Sequence, residues 1–342
     1  MKNFTYYRPS SVDAAVGLLD EQWGKTELLA GGTDLLDLLK EYVAQPDKVV
    51  SLAGLPAEFR KISVTAPPGN FPPAVTIGGG VTIAEIAASK DVPAAVASAA
   101  GEVGSPQIRN MGTLGGNLCQ RNRCWYFRDE HVSCLIKGGK KCFAMDGENQ
   151  YHAIFTKGHA CVIVHPSTLA PPLIAVGATA ELQGPNGKRR IPVEKLFQLP
   201  TSSGKREHVV APNEVLLSVD CGFAAEQFAS VRSASYEVRH KQSYDWPLVQ
   251  AAVFFYTKQG SIKAQGVRIV LGHVAPTPYL AEAAAKAIEG QEINEGTATA
   301  AGKAATEGAK PLSQNGYKLK LVEVAVKRAL LIAAGANRYW EV

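Results

Sequence analysis

The chain lacks the features that would assign it quickly to a simple class. No apolar stretch approaches the roughly 18 residues a membrane span needs, because the longest are cut by His165, Pro166, Pro171 and Pro172 or are short Ala/Gly segments. No direct membrane insertion is expected. Met1 to Tyr6 has no apolar h-region, so no secretory signal is expected and a cytoplasmic location follows, export through a partner's signal being the other route. Neither sign of charge dominates: 36 Lys and Arg against 31 Asp and Glu leave +5. The basic residues are spread along the chain except near the cysteines, so nucleic acid is not the expected partner. No paired-carboxylate or Ser/His/Asp arrangement stands out, which fits chemistry carried by cofactors.

What is present is a chain of 342 residues, 46% hydrophobic, long enough for two or three domains. Five of its six cysteines, Cys119, Cys124, Cys134, Cys142 and Cys161, are grouped directly after a glycine-rich turn, Gly112-Thr113-Leu114-Gly115-Gly116-Asn117. Residues 11 to 52 read as helix (Val12 to Leu19), strand (Glu27 to Ala30), turn (Gly31-Gly32-Thr33-Asp34), helix (Leu35 to Tyr42) and strand (Lys48 to Leu52), after an edge strand at Phe4 to Tyr7. A Pro-rich break at 67–73 precedes a strand at Val75 to Gly80, a helix at Thr82 to Ser89 and an Ala-rich helix capped by Asp91. Further on come a helix from Leu169 to Val176, a hairpin around Pro185-Asn186-Gly187, and a strand from Val215. A boundary is placed near 224–230. Beyond it lie hairpin strands at Val249 to Tyr256 and Val267 to Val274, helices from Tyr279, an Ala/Gly/Thr-rich mobile loop or weak helix at 291–310, and a last helix from Leu319 to Ala333.

Leu28 to Leu35 is a strand entering paired glycines and then a helix, a turn that lets backbone N–H groups converge on an anion beside a positive helix end. It lacks GxGxxG spacing and a βαβ setting, which disfavours a doubly wound nicotinamide domain; the plain alternative is a tight turn with a capping Thr or Asp. The second turn, after Pro106-Gln107-Ile108-Arg109-Asn110, has the same character, and two such loops could hold one extended dinucleotide between them. The pair AGGTDLL and IRNMGTLGGN resembles the FAD-binding subunit of the xanthine oxidase family of molybdenum hydroxylases, over essentially the whole chain. The resemblance implies an α+β chain: a two-subdomain FAD-binding fold of the vanillyl-alcohol oxidase type (1–56 and 57–225) plus a C-terminal α+β domain, an antiparallel sheet with helices, at 230–342. It implies that Leu29, Ala30, Gly31, Gly32, Thr33, Asp34 and Leu35 wrap the FAD pyrophosphate. Thr113, Gly116 and Asn117 would close over the ribityl and phosphate region, with Asn110, Gly115, Ser167, Thr168, Leu216 and Glu237 completing the FAD set. Two segments depart from the family pattern. Ser167-Thr168-Leu169-Ala170-Pro171 stands where many relatives have an Asp in S-D-x-x-P, and Tyr236-Glu237 stands where many have Lys after an aromatic.

The cysteine spacings admit three readings. There is no CxxC knuckle, which argues against the usual structural zinc modules; disulfides are the plainest reading; an iron–sulfur cubane tolerates long loops between thiolates. Arg121, Arg123, Arg128, Lys137, Lys140 and Lys141 would offset cluster charge, and Gly138-Gly139 would let N–H groups approach sulfur. Segment 120–127, with Cys134, Cys142 and Ala160 to Ser167, is similar to the bacterial aldehyde oxidoreductase branch of the family. That branch carries a [4Fe-4S] insertion, here about 118–163; the 4-hydroxybenzoyl-CoA reductase branch carries one too. The resemblance implies Cys124, Cys134, Cys142 and Cys161 as ligands, Cys119 as a buried thiol near the FAD loop, and Cys221 in the core. His165 is read as a structural histidine, His131, His152 and His159 as reserve ligands, and Arg239, His240, Lys241, Ser243, Tyr244 and Asp245 as a polar run near the flavin edge.

The implied function is that of an FAD and [4Fe-4S] electron-transfer subunit in a three-subunit enzyme oxidising an aldehyde or an N-heterocycle. The chain has no molybdopterin-binding length and no plant-type [2Fe-2S] cysteine spacing. The large molybdenum-cofactor subunit and the small [2Fe-2S] subunit are therefore expected partners, with an external electron acceptor. The alternatives are a 4-hydroxybenzoyl-CoA reductase-like subunit with reversed electron flow and a zinc-stapled nucleotide-binding subunit without redox turnover.

Overall fold

A computed structural model of the chain describes residues 1–65, 74–156, 158–202, 204–222, 230–241 and 244–336. The Pro-rich break at 67–73, the boundary at 224–229 and Ser243 lie outside the described residues.

The first layer is a parallel sheet in the order β1 (Thr5–Tyr7), β3 (Lys48–Ser51), β2 (Thr26–Leu29). Two helices serve it: α1 (Val12–Leu18), whose Ala14 N–H is capped by Ser11 Oγ at 3.2 Å, and α2 (Leu35–Lys40), which buries Leu35, Leu38 and Leu39. The central strand β3 buries Val49 and Val50, and β1 is exposed throughout, as an edge strand should be.

The second sheet is antiparallel, in the order β4 (Ile62–Thr65), β5 (Ala74–Gly78), β8 (Val215–Cys221), β6 (Thr179–Gly184), β7 (Gly187–Pro192). The β6–β7 hairpin turns at Gly187, whose φ of +95° suits a residue without Cβ. Helices α3 (Ile83–Ala88), α4 (Ala94–Gly101), α5 (Pro106–Met111), α6 (Leu114–Cys119), α7 (Trp125–Arg128) and α8 (Ala170–Ala175) accompany it. Ile77, Ile86, Leu114, Leu118, Leu173 and Leu182 fill its core, and Cys221 is buried at the end of β8.

The third layer is an antiparallel sheet in the order β12 (Tyr279–Leu280), β11 (Gln265–Gly272), β10 (Val249–Thr257), β9 (Ser230–Val238). Helices α9 (Glu282–Ile288), α10 (Glu295–Ala304) and α11 (Lys318–Ala334) cover it. Val322, Ala325, Val326, Ala329 and Leu330 form the buried stripe of α11. α8 seals the second core against this sheet, with Ala252, Phe254 and Val270 of the third sheet joining that core.

Several elements differ from expectation. The Ala-rich helix starts at Ala94 after Pro93, which stands at the N-cap without a side-chain cap; Asp91 lies two residues further back and caps nothing. Of the two readings for 291–310 the helix holds: Asn294 and Thr297 form a reciprocal cap on α10, and Gly302 lies so close to the Glu323 carbonyl of α11 that a Cβ would sit 2.4 Å from it. The turn at 112–117 is in fact the entrance to α6, with the Thr113 side chain accepting from Gly116 N–H at 3.1 Å. Tyr279 begins a two-residue strand before the first C-terminal helix.

Residues 120–163 hold little regular structure beyond α7. They fold around a small core of their own, Phe127, Cys134, Ile136, Cys161 and Ile163, which packs on Leu38 of α2. The cysteine segment is thereby seated against the helix that opens at the Gly31-Gly32 loop.

Candidate cofactor sites

Loop 30–35 and the 111–117 segment meet directly. A Cβ on Gly31 would fall 1.7 Å from the Met111 carbonyl oxygen, so only glycine permits the contact. Gly32 adds a φ of +75°, another conformation that L side chains resist. Between these loops, the β2 end and β8 runs a cleft lined by Ala30 to Leu35, Leu52, Phe59, Gly79, Thr113, Gly115, Gly116 and Leu216. It continues past Thr33, Asp34, Gly116 and Gln120 into a second chamber bounded by Asn117, Thr168, Ile108 and Trp246.

The two loops present different chemistry to this cleft. Among the described residues, no protein acceptor takes the N–H groups of Gly31, Gly32, Thr33, Asp34 or Leu35, so five donors at the start of α2 remain free for a ligand. The 112–117 segment has spent most of its own: Leu114 N–H goes to Val81 O at 2.9 Å, Gly115 N–H to Gly79 O at 2.8 Å, and Asn117 N–H to Thr113 O at 2.8 Å. The expectation of two anion-binding loops is corrected to one. The second loop closes the cleft by shape and holds the floor at Gly79, a residue the sequence reading missed.

The remaining expected residues divide. Thr168 lines the inner chamber, and its carbonyl accepts from Gln250 Nε2 at 2.8 Å. Asn117 Oδ1 accepts from Ser167 Oγ at 2.6 Å, so Ser167 is buried as a brace behind the wall. Glu237 is buried against Arg239, at 2.7 Å, and its Oε1 has no partner among the described residues. Burial raises its carboxyl to about 7, against the pull of Arg239 and Thr168. Three expectations fail on position: Leu29 packs with Leu35, Leu39 and Val49 instead of lining the cleft, Asn110 is exposed outside it, and Glu237 is buried on β9 outside the lining of either chamber. Trp23, Glu27, Arg206 and His208 line the outer end, unforeseen; Arg206 pairs with Glu27 and lies over the Trp23 ring at 4.6 Å.

Asp34 has a role the sequence did not disclose. Its carboxylate receives Arg121 N–H at 2.9 Å, Arg128 Nη2 at 2.6 Å and Arg123 Nη2 at 3.0 Å, which ties the cleft loop to the start of the cysteine segment. Glu207 holds the other side, accepting from Arg121 Nε at 2.7 Å and from Asn122 N and Nδ2 at 3.0 and 2.7 Å. The three arginines expected to offset cluster charge are committed to these carboxylates. Burial alone would raise the Glu207 carboxyl, but Arg121, Asn122 and Arg206 overcome it and hold it at about 2. A carboxyl depressed in the folded state stabilises it fully above the unfolded value near 4.5, and that contribution is lost as pH falls towards 2. It amounts to about 3 kcal/mol at neutral pH. Urea unfolding should accordingly show Glu207→Gln less stable by about that amount at pH 7, with the difference shrinking by pH 3; parallel pH profiles would contradict the assignment.

All six cysteines are unpaired, which removes the disulfide reading. Cys124, Cys134, Cys142 and Cys161 line one small cavity with Tyr126, Phe143 and His152, and Cys119 lies instead on the wall of the large cleft, where burial lifts its thiol to about 12. Nearby backbone N–H groups favour the thiolate at three of the four, Tyr126 and Phe127 at Cys124, Val162, Ala144 and Met145 at Cys142, and Ile163 at Cys161, while the Phe127 and Met145 N–H groups donate to the carbonyls of Cys124 and Cys142. The S–H of Cys161 lowers Cys142 to about 6, while its own thiol rises. Gly138 and Gly139 play another part than expected. Their N–H groups bond Leu135 O and Cys134 O in a turn so tight that a Gly139 Cβ would meet Ser133 O at 1.9 Å. His152 Nε2 is 3.2 Å from Cys124 Sγ, whereas His131 and His159 are exposed. His165 is buried edge-on to Phe197 at 4.4 Å, as a structural histidine. Among the described residues, no three His, Cys, Asp or Glu side chains sit closely enough to hold one metal ion.

Comparison with known proteins bears on the cleft. Residues 2–221 match the family described as FAD binding domain in molybdopterin dehydrogenase, and residues 234–333 match the CO dehydrogenase flavoprotein C-terminal domain. The aldehyde oxidoreductase FAD-binding subunit PaoB of Escherichia coli is 31% identical, over 94% of this chain and 96% of its own length. The carbon monoxide dehydrogenase medium chain of Hydrogenophaga pseudoflava is 28% identical over 96% of each. A solved structure of that organism's carbon monoxide dehydrogenase superposes with a TM-score of 0.71, covering 97% of both chains. A free, backbone-lined cleft beside the Gly31 seam is thus found in a chain that belongs to the FAD-binding subunits of the molybdenum hydroxylases, the oxidoreductase family of xanthine dehydrogenase, aldehyde oxidoreductase and carbon monoxide dehydrogenase.

Proposed function

We propose that this chain is the FAD and [4Fe-4S] electron-transfer subunit of a three-subunit molybdenum hydroxylase acting on an aldehyde or an N-heterocycle. A large molybdenum-cofactor subunit and a small [2Fe-2S] subunit would be its partners, and an external acceptor its outlet. The domains are 1–56 and 57–225 for FAD, with the cysteine insertion at about 118–163, and 230–342 at the C-terminus.

The observation that carries the reading is the pairing of two separate sites through one bracket. The cleft supplies free N–H donors at 31–35 for a pyrophosphate, a role suited to a helix N-terminus. Thr168 and Asn117 line the inner end, where the flavin ring would lie. The small cavity gathers four sulfurs, three of them beside backbone N–H groups that favour the thiolate, which is the donor chemistry of a cubane. FAD, when bound, supplies the exchange between one- and two-electron steps that the chain's own side chains lack. Gly31, Thr33 and Leu35 bind and orient it, Thr168 and Asn117 bound its inner end, and Asp34 and Glu207 fix the cysteine segment alongside.

Visible absorbance of the purified protein tests the reading. Flavin bands over a broad shoulder that dithionite bleaches are expected; a colourless protein that contains zinc would overturn it.

A further inference from the structure

Behind the rim of the inner chamber, across Trp246 and Pro247, lies a second cavity that shares only Cys124 and His152 with the cysteine cavity. Its walls are aromatic: Trp125 and Tyr151 meet edge to face at 5.6 Å, His240 stands against Tyr151 at 5.8 Å, and half-exposed Trp246 forms the rim. Polar groups converge on its lining. Lys318, 1% exposed at the first turn of α11, donates to the Tyr151 and His273 carbonyls at 2.9 Å each, which leaves one of its three N–H groups. His273, 2% exposed, has an Nε2 without a partner among the described residues, as does Nδ1 of His152. His273 also holds a left-handed backbone, φ +61°, unusual for a residue with a Cβ and a form of strain that accumulates at functional sites.

The charge balance narrows the ligand. Lys318 makes no ion pair among the described residues; Arg123, in the same lining, is held by Asp34; Asp245 is the one carboxylate there. A buried ammonium with only carbonyl partners is costly, and burial lowers Lys318 to about 7. An entering anion would supply the missing counter-charge, and the flat aromatic walls select a planar one. We propose that this cavity is a binding site for an aromatic carboxylate, with the ring between Trp125, Tyr151 and Trp246 and the carboxylate on Lys318 and His273. No group of the Gly31 loop takes part and no reaction step is involved; Cys124 and His152 border the cavity without contacting the proposed ligand, so benzoate binding is read separately from iron content. The consequence is that an acidic aromatic product or metabolite would occupy a site on the electron-transfer chain itself.

The test is a calorimetric titration of the purified, flavin-loaded protein with benzoate, and with benzamide as the neutral isostere. Benzoate should saturate one site per chain, with benzamide at least about tenfold weaker, the worth of a charge-assisted hydrogen bond. Lys318→Met should reduce benzoate to the benzamide level without altering the flavin spectrum, and Trp246→Ala should weaken both ligands. Equal binding of the two ligands, no binding of either, or unchanged benzoate affinity in Lys318→Met would overturn the proposal. If Lys318→Met does not fold, the ligand ratio on the unaltered protein and the Trp246→Ala titration decide: a ratio near one, or unchanged affinities, overturns it.

Discussion

Cys142→Ser should yield a protein that has lost its iron–sulfur absorbance, while Cys119→Ser keeps it. The two thiols are 23 positions apart and both belong to the grouped cysteines, yet they lie on different cavities. Cys142 faces Cys161 and lies beside the N–H groups of Val162, Ala144 and Met145, so its sulfur is prepared as a thiolate ligand. Cys119 is at the end of α6, raised by burial and packed against the second core, away from the cavity of the other four grouped cysteines. A cubane missing one of four ligands is lost or degraded, so the effect is close to all or none. Iron determination on both variants reads it; equal iron in the two, or loss from Cys119→Ser alone, would contradict the ligand set. Because the cysteine segment packs on Leu38 of α2, Cys142→Ser should also loosen the flavin, as partial loss during gel filtration.

The second large effect is at the seam between the loops. In Gly31→Ala the added carbon meets a backbone oxygen at 1.7 Å, and no side chain can swing aside to relieve it. Either loop 30–35 or the C-terminus of α5 must move, and overpacking of this kind costs about 1–3 kcal/mol. The displaced groups are the free N–H donors, so flavin content should fall by more than about tenfold, equivalent to about 1.4 kcal/mol of misdirected contacts. Gly17→Ala is the control. Its Cβ meets nothing within 4 Å in α1, and the change should leave flavin intact and stabilise by up to about 1 kcal/mol. Flavin released on denaturation, measured per chain, reports both; full flavin in Gly31→Ala would show that the seam does not shape the cleft.

Local signals carried much of this architecture. Ser11 capping, the Pro185-Asn186-Gly187 turn, the β10–β11 hairpin and the last helix are all short-range patterns, and they formed as read, although β10 is buried along seven consecutive residues instead of alternating. The glycines of the first loop were legible for the same reason. Residues whose roles depend on distant partners were not. Asp34 looks like a loop carboxylate until Arg121, Arg123 and Arg128 arrive some 90 positions later, and Gly79 becomes the cleft floor only when β8 and α6 close on it. Lys318 reads as a surface lysine at a helix start, and only the approach of the Tyr151 and His273 carbonyls buries it. The 291–310 segment was ambiguous by composition: Ala, Gly and Thr look weak locally, but small residues are what let α10 cross α11 closely at Gly302.

The central claim, that one chain holds FAD in the glycine-seamed cleft and a cubane on Cys124, Cys134, Cys142 and Cys161, is tested most directly by metal, sulfide and flavin analysis of the anaerobically purified protein. The account predicts one flavin with about four irons and four acid-labile sulfides per chain. A single zinc per chain, or flavin with neither iron nor sulfide, would contradict it.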